Sequence, residues 1–142
     1  MTIKKVLFLC TGNACRSQMA EGWARHLLDG IIHPYSAGVV AHGLDQRAVQ
    51  VMREAGVDIT GQESKTLDDL PTVEFQVVVT LCDRAKESCP FFPGGTTQLH
   101  GAFEDPAALA RDAADEASAL PPYRRVRDQI ENFVRELPDL LG

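Results

Sequence analysis

Two short runs of almost wholly apolar residues stand out along the chain, and each has the length of a buried β-strand. They are Val6-Leu7-Phe8-Leu9 and Phe75-Gln-Val-Val-Val-Thr-Leu81. Runs of this length that are rich in β-branched and aromatic residues are typical of strands covered on both faces. Two weaker segments, at 31–36 and 96–100, extend the pattern. We therefore predict four strands, at 3–9, 31–36, 75–81 and 96–100.

Amphipathic segments and end signals predict helices between these strands. A helix over 17–28 ends at Gly30, a second follows an Asp45 cap and ends before Gly56, and a short one covers 66–70. Further helices are expected over 106–117 and 123–137, the last opened by Pro121-Pro122. Its apolar face is expected to consist of Val126, Ile130, Phe133, Val134 and Leu137.

Strands that alternate with helices indicate an α/β fold, with a four-stranded parallel sheet and helices on both faces. The 142 residues suffice for one domain with one core. Ligands of such sheets bind beyond the carboxyl ends of the strands. Cys10, Cys82 and Asp105 follow the first, third and fourth predicted strands. We therefore expect these three residues to meet at one edge of the sheet.

The net charge of −6 argues against nucleic acid or an anionic membrane as a partner. The basic cluster at 124–127 is followed by Asp128 and Glu131, which favours a solvated helix face. No apolar stretch approaches the length of a membrane span. We expect a cytoplasmic monomer that binds an anion locally, through backbone donors and one arginine.

The four cysteines are Cys10, Cys15, Cys82 and Cys89, and we expect them to be reduced at rest. Their spacings, Cys-x4-Cys and Cys-x6-Cys, differ from those of zinc sites, and the four histidines show no ligand spacing. The sequence therefore predicts no metal site. Catalytic roles outrank structural disulfides for these thiols.

Residues 10–17, Cys-Thr-Gly-Asn-Ala-Cys-Arg-Ser, lie between the first predicted strand and the first helix. A loop at this junction turns successive backbone N–H groups inward at the positive end of the helix dipole. It forms a cup for a tetrahedral oxyanion such as phosphate or a phosphate mimic. The residues expected to bind the oxyanion are Thr11, Gly12, Asn13, Ala14, Cys15, Arg16 and Ser17.

Cys10 is the candidate nucleophile, because a helix N-terminus and a nearby arginine favour the reactive thiolate. Arg16 offers a planar fork for two oxygens of the anion. Ser17 either donates a hydrogen bond to Cys10 or caps the helix. Asp105 is a candidate general acid, although Asp followed by Pro106 is also an ordinary helix cap, and Glu104 is a neighbouring carboxyl.

Cys82 and Cys89 are seven residues apart, so one helix would place them on one face but about 10 Å apart. A disulfide requires Cα atoms within about 7 Å. Joining Cys82 to Cys89 would therefore require that helix to unwind, which makes the segment a candidate redox switch. The alternative is two unrelated thiols. Cys15 is expected to point into the fold, and an off-pathway bond to Cys10 stays open.

Taken together, these residues resemble a thioredoxin-coupled arsenate reductase of the low-molecular-weight tyrosine phosphatase fold. The resemblance spans essentially the whole chain. The motifs that carry it are Cys10-Thr-Gly-Asn-Ala-Cys-Arg-Ser-Gln-Met-Ala-Glu-Gly22, Tyr35-Ser-Ala-Gly38, Val79-Thr-Leu-Cys82, Cys89-Pro90 and Phe103-Glu-Asp-Pro106. Ordinary phosphatases of this fold share the first and last motifs but, as a class, lack the Cys82/Cys89 pair.

The resemblance implies a three-cysteine relay. Cys10 attacks arsenate while Asp105 protonates the departing hydroxyl, Cys82 attacks the Cys10 sulfur and releases arsenite, and Cys89 then attacks Cys82. The resulting disulfide is exposed to thioredoxin, the implied electron donor. No tightly bound cofactor is implied. The alternatives are a phosphatase for phosphotyrosine or small phosphate esters, and a non-catalytic anion- or redox-sensing module.

The sequence departs from the family at one position. Some members hold a potassium ion beside the loop with Asn, Glu, Ser and Asp side chains. Asn13, Glu21 and Ser36 match that set, but Lys65 stands where the Asp is expected. An ammonium group at this position would replace the ion electrostatically, which puts a potassium site in doubt.

Overall fold

The computed structural model describes residues 3–70, 74–89 and 96–141, and it contains a four-stranded, wholly parallel sheet. The strands lie in the order β2-β1-β3-β4. They are β1 (Lys4–Cys10), β2 (Ile32–Gly38), β3 (Val77–Thr80) and β4 (Thr97–His100). Each matches a predicted strand with small shifts at the ends. Pro90, in one of the sequence motifs, lies outside the described residues.

Five α-helices connect and cover the strands of the described chain. They are α1 (Arg16–Leu27), α2 (Gln46–Glu54), α3 (Asp83–Ser88), α4 (Pro106–Leu109) and α5 (Glu116–Leu140). The short helix predicted over 66–70 is a 3-10 turn, Leu67–Asp69. Asp45 caps α2 as predicted, through a 2.9 Å bond from Arg47 N. None of the helices in the described segments has the length and apolarity needed to cross a membrane.

The core lies around the two central strands. Val6, Leu7 and Phe8 are successive residues of β1 and all are fully buried. Because successive strand side chains point to opposite faces, both faces of the sheet are covered. Helix α1 packs against β1, β2 and α5. The residues Val126, Ile130, Val134 and Leu137 of α5 are fully buried, as the periodicity predicts, whereas Phe133 is only half-buried.

The predicted boundary between the last two helices is wrong. The helix that starts at Pro106 ends at Leu109, and α5 begins at Glu116, so Pro121 and Pro122 lie inside it. Asp115 sets this start, because its carboxylate accepts a 2.8 Å hydrogen bond from Ser118 N. Ala119 and Leu120 are also buried against the core, and that packing holds the turn before the prolines. Tertiary packing therefore outweighs the preference of proline for the first helical position.

Gly22 in α1 allows the chain segment around residue 59 to pack closely. A methyl group there would lie 2.6 Å from Ile59 Cγ2 and 3.3 Å from Met52 Cε, and both of those side chains are fully buried. Alanine is intrinsically the better helix former. Overpacking dominates at this position, because the buried neighbours have little room to move.

We predict that Gly22→Ala lowers the free energy of unfolding by about 1–3 kcal/mol, the usual cost of overpacking a core. Urea unfolding followed by circular dichroism measures it. Gly61→Ala is the matched control, because a Cβ at Gly61 meets nothing within 4 Å, and it should change stability by less than about 0.5 kcal/mol. A Gly22→Ala chain as stable as the unaltered protein would contradict the packing argument.

Candidate active site

The loop between β1 and α1 directs five successive carbonyl groups outward, away from its own centre. The carbonyl oxygens of residues 10–14 each accept a hydrogen bond from a neighbouring segment. In chain order their donors are Val39 N (3.2 Å), Val40 N (3.0 Å), His42 N (2.9 Å), Gln18 Nε2 (3.0 Å) and Asp45 N (3.0 Å). Since C=O and N–H point in opposite directions across a trans peptide, the loop N–H groups face inward. The backbone N–H groups of the loop therefore form an inward-facing cup, and oxyanion binding by this cup stays a prediction.

Two backbone features make this close packing possible. Asn13 adopts a positive φ of 47°, which turns the chain sharply and which asparagine tolerates well. Gly38, at the end of β2, lies directly against the loop. A Cβ at Gly38 would stand 2.6 Å from Asn13 N and 2.4 Å from Val40 O. Only glycine fits between these two backbone segments.

The candidate nucleophile Cys10 is buried at the end of β1, and its Sγ lies 2.9 Å from Ser17 Oγ. Asn13 Nδ2 donates to the same Ser17 oxygen at 2.7 Å. Gln18 Nε2 and Lys65 N both donate to Asn13 Oδ1, which fixes the orientation of the Asn13 amide. The Ser17 oxygen accepts from Asn13, and its hydroxyl hydrogen remains available to donate to the Cys10 sulfur.

Arg16 and Asp105 meet beside the cup. The Arg16 side chain is 10% exposed, and its Nη2 lies 4.0 Å from Asp105 Oδ2. Arg16 Nη1 donates to Phe103 O at 3.0 Å, which ties the guanidinium to the segment after β4. Asp105 Oδ1 caps α4 by accepting from Ala107 N. Both sequence interpretations of Asp105 are thus compatible: one oxygen caps the helix, and the other faces Arg16.

Cys82 reaches the same site from β3. It is buried, and its Sγ lies 3.3 Å from Thr11 Oγ1 in the anion loop. Cys82 is also the N-cap of α3, where its sulfur accepts a 3.4 Å hydrogen bond from Ala85 N. The Cys82 sulfur therefore faces both the Thr11 hydroxyl and the Ala85 N–H group. Sequence reasoning assigned Thr11 only to the oxyanion cup, because no local signal links residues 71 positions apart.

The other two cysteines lie in different surroundings. Cys89 is the C-cap of α3 and is half-buried, and burial raises the pKa of its thiol. Cys15 is buried beneath the cup, and its thiol pKa is raised first by that burial and then by the Asp45 carboxylate. Asp45 is itself held by Tyr123, whose hydroxyl donates to Asp45 Oδ2 at 2.7 Å. All four cysteines are in the reduced form.

We predict that Ser17→Ala slows alkylation of Cys10 by iodoacetamide at pH 7 about tenfold, because a hydrogen bond to the charged sulfur is lost. Mass spectrometry of the Cys10 peptide over time measures the rate. Ser64→Ala is the matched control: Ser64 Oγ donates to Gly12 O of the same loop and does not reach the sulfur. The control rate should stay within about twofold of the unaltered chain. Equal rates in all three proteins would contradict a role for Ser17 in activating Cys10.

Known proteins are similar to this chain over nearly its whole length. The sequence pattern described as "Low molecular weight phosphotyrosine protein phosphatase" matches residues 5–141. The arsenate reductase of Bacillus subtilis is 44% identical over 139 residues, 98% of each chain. The arsenate reductase of Halalkalibacterium halodurans is 45% identical over 135 residues, 95% of each chain.

A solved structure described as "An arsenate reductase in oxidized state" superposes with a TM-score of 0.80 at 31% identity. The match covers 99% of this chain and 100% of that one. The sequence and fold matches therefore agree on the family and on the α/β fold of this chain. The chain belongs to the low molecular weight phosphotyrosine protein phosphatase family.

Proposed function

We propose that this protein reduces arsenate to arsenite through a relay of Cys10, Cys82 and Cys89, and that thioredoxin regenerates it. The observation that carries the proposal is the presence of two thiols in one site. Cys10 Sγ lies against Ser17 of the cup, and Cys82 Sγ lies against Thr11 of the same loop. A phosphatase needs only the first thiol. The relatives named arsenate reductase support the same conclusion.

In the first step, the Cys10 thiolate attacks arsenic and displaces one oxygen. The inward N–H groups and Arg16 hold the remaining oxygens and stabilise the negative charge that builds up on them. Asp105 donates the proton with which the departing oxygen leaves as water. The product is a covalent Cys10–arsenic adduct in which arsenic is still As(V).

In the second step, the Cys82 thiolate attacks Cys10 Sγ. The S–S bond forms as the S–As bond breaks, and the bonding electron pair passes to arsenic, which leaves as arsenite, As(III). The Cys89 thiolate then attacks Cys82 Sγ and releases Cys10 as a thiolate. Thioredoxin supplies two electrons and two protons to reduce the Cys82–Cys89 disulfide. Cys89 caps the opposite end of α3 from Cys82, so it reaches that sulfur only after the helix unwinds.

Phosphate-ester hydrolysis is the second candidate, and the family match favours it. Cys10, Arg16 and Asp105 are sufficient for that reaction: after Cys10 takes the phosphoryl group, water attacks the phosphorus, the S–P bond breaks, and phosphate and the Cys10 thiolate are released. The cup binds a tetrahedral oxyanion through backbone groups, which phosphate and arsenate satisfy alike. Weak phosphatase activity is therefore compatible with either function, and the two functions differ only in what Cys82 and Cys89 do.

The decisive test is NADPH oxidation by this protein with thioredoxin and thioredoxin reductase, before and after arsenate is added. We predict arsenate-dependent consumption that falls to background in Cys82→Ser and in Cys89→Ser. Both variants should still hydrolyse p-nitrophenyl phosphate, whereas Cys10→Ser should not, because only Cys10 attacks the phosphorus. Full arsenate turnover in both variants would refute the relay. Hydrolysis without any NADPH consumption by the unaltered chain would assign the phosphatase function instead.

The surroundings of Glu21 do not fit a bound potassium ion. Glu21 Oε2 accepts from Arg25 at 2.6 Å, and its Oε1 accepts from Ser36 Oγ at 2.5 Å. Lys65 Nζ lies 3.9 Å from the same Oε1. Two cationic groups therefore already face this buried carboxylate, and a further monovalent cation would meet like charge. We propose that the Lys65 ammonium group takes the electrostatic role that potassium has in some family members.

We predict that the melting temperature and arsenate turnover are the same in potassium chloride and in sodium chloride at equal ionic strength. The reason is that Lys65 already balances Glu21. Differential scanning fluorimetry across a titration of each salt measures the first quantity. Lys65→Asp is the informative variant, because it supplies the carboxylate that the family's potassium set contains. A potassium-specific rise in melting temperature for the unaltered chain would contradict the prediction.

A further inference from the structure

Helix α3 separates the two cysteines that the proposed relay must join. It spans Asp83–Ser88, with Cys82 as its N-cap and Cys89 as its C-cap. Seven residues of helix correspond to a rise of about 10 Å, beyond the Cα separation of about 7 Å that a disulfide accepts. The Cys82–Cys89 disulfide therefore forms only when α3 unwinds, and whatever holds α3 in place also controls this disulfide.

Helix α3 contacts the sheet through one small side chain among its described residues. Ala85 is its buried anchor, at 1% exposure. A cleft of about 300 Å³ lies beside it, lined by Ala85 and Cys89 on one side and by Leu9, Val39 and Leu67 among the residues opposite. Among the described side chains of α3, Ala85 is the buried one, and the others are exposed. A methyl group contributes little apolar burial, so the polar contacts of α3 matter for its position.

One polar contact ties the first residue of α3 to the sheet. His100, the last residue of β4, lies between Thr80 of β3 and Asp83 of α3. Its Nδ1 is 2.7 Å from Thr80 Oγ1, and its Nε2 is 3.2 Å from Asp83 Oδ1. The His100 side chain is 23% exposed, and the Asp83 side chain is 84% exposed. The His100 end of the contact is therefore held within the sheet, and the Asp83 end is exposed to solvent.

The bridge is complete in both protonation states of the imidazole. In the neutral ring with hydrogen on Nε2, the Thr80 hydroxyl donates to Nδ1, and Nε2–H donates to the Asp83 carboxylate. In the imidazolium, Nδ1–H donates to the Thr80 oxygen, which can donate in turn to Leu99 O at 3.4 Å. Asp83 accepts from His100 in either case. The link therefore does not require a particular charge on the ring.

We propose that His100 is a positioning residue that latches α3 to the sheet through Asp83 and Thr80 and thereby opposes formation of the Cys82–Cys89 disulfide. The proposal rests on the three-cysteine relay of the proposed function. The latch keeps Cys82 at the N-terminus of an intact helix, beside Thr11, while Cys10 reacts. It must open before Cys89 can reach Cys82. The dithiol state is favoured as long as the bridge holds.

The test is the reduction potential of the Cys82–Cys89 pair in the full-length chain, with dithiothreitol as the redox partner. Cys82 and Cys89 lose two electrons and two protons as their S–S bond forms, and oxidised dithiothreitol gains both and becomes the dithiol. The chain is equilibrated over a range of dithiothreitol ratios, quenched and alkylated. Mass spectrometry then identifies which cysteines are joined. No arsenate is required.

Asp83→Ala and His100→Ala should each favour the disulfide by about twofold to fivefold in its equilibrium constant, as expected for loss of one exposed charged contact. The potential then falls by about 9–21 mV. Asp83 is also the first residue of α3, where its carboxylate interacts favourably with the helix dipole. The change in potential for Asp83→Ala therefore includes this second contribution. The double variant separates the two terms: if the residues act as one latch, its effect is smaller than the sum of the single effects. Glu87→Ala removes an exposed carboxylate near the other end of the same helix, where the helix dipole disfavours negative charge. It is the control for loss of a charge and should not lower the potential.

The outcomes separate the latch from the relay. An unaltered potential in Asp83→Ala, or strictly additive effects in the double variant, would overturn the latch alone. Absence of any Cys82–Cys89 disulfide in the unaltered chain would overturn the relay and the latch with it. Asp83 is exposed, so its variant keeps the core intact. If His100→Ala does not fold, His100→Phe takes its place, because it keeps a ring of similar shape without the two nitrogens and leaves Asp83 at the start of α3. An unchanged potential in that variant overturns the latch, and a lower potential supports it.

Discussion

The outward orientation of the carbonyl groups at residues 10–14 is the constraint on which the rest of the site depends. Each carbonyl is held by a donor from another segment, so the loop cannot relax without breaking contacts with β2, α1 and the start of α2. The same contacts also fix the inward N–H groups, so these groups lose no further conformational entropy when a ligand binds. A site that is organised before its ligand arrives binds the developing charge of a transition state better than one that must rearrange.

The proposed function requires a chain of net charge −6 to bind an anion, and the inward N–H groups provide a physical basis for that binding. The attraction comes from backbone dipoles and a single guanidinium, whose influence is local and little screened in a buried cup. The one buried carboxylate nearby, Glu21, is balanced by Arg25 and Lys65. The remaining acidic residues are mostly exposed, where solvent and salt screen them, so the overall charge does not determine what the cup binds.

The sequence predicted the parts of the molecule whose causes are local. Apolar runs specify the four strands, and the Gly, Asn, Arg and Ser of residues 10–17 specify a cup, because backbone geometry and helix dipoles act over a few residues. The sequence did not predict features that depend on contacts between residues far apart in the chain. The start of α5 depends on the burial of Ala119 and Leu120. The contacts of Thr11 with Cys82 and of His100 with Asp83 depend on strand order, which apolar patterns do not specify.

The environments of the four thiols give the proposed relay its order. Cys10 and Cys82 each face a hydroxyl, and both lie at the carboxyl edge of the sheet. Cys15 is closest to Cys10 in sequence, yet burial and the Asp45 carboxylate raise its thiol pKa, so it stays protonated and does not compete for the Cys10 sulfur. Burial also raises the pKa of Cys89. Cys89 and Cys82 cap opposite ends of α3, so Cys89 reaches the Cys82 sulfur only when the helix unwinds. In the proposed relay this places its attack after that of Cys82 and couples the last chemical step to a change in fold.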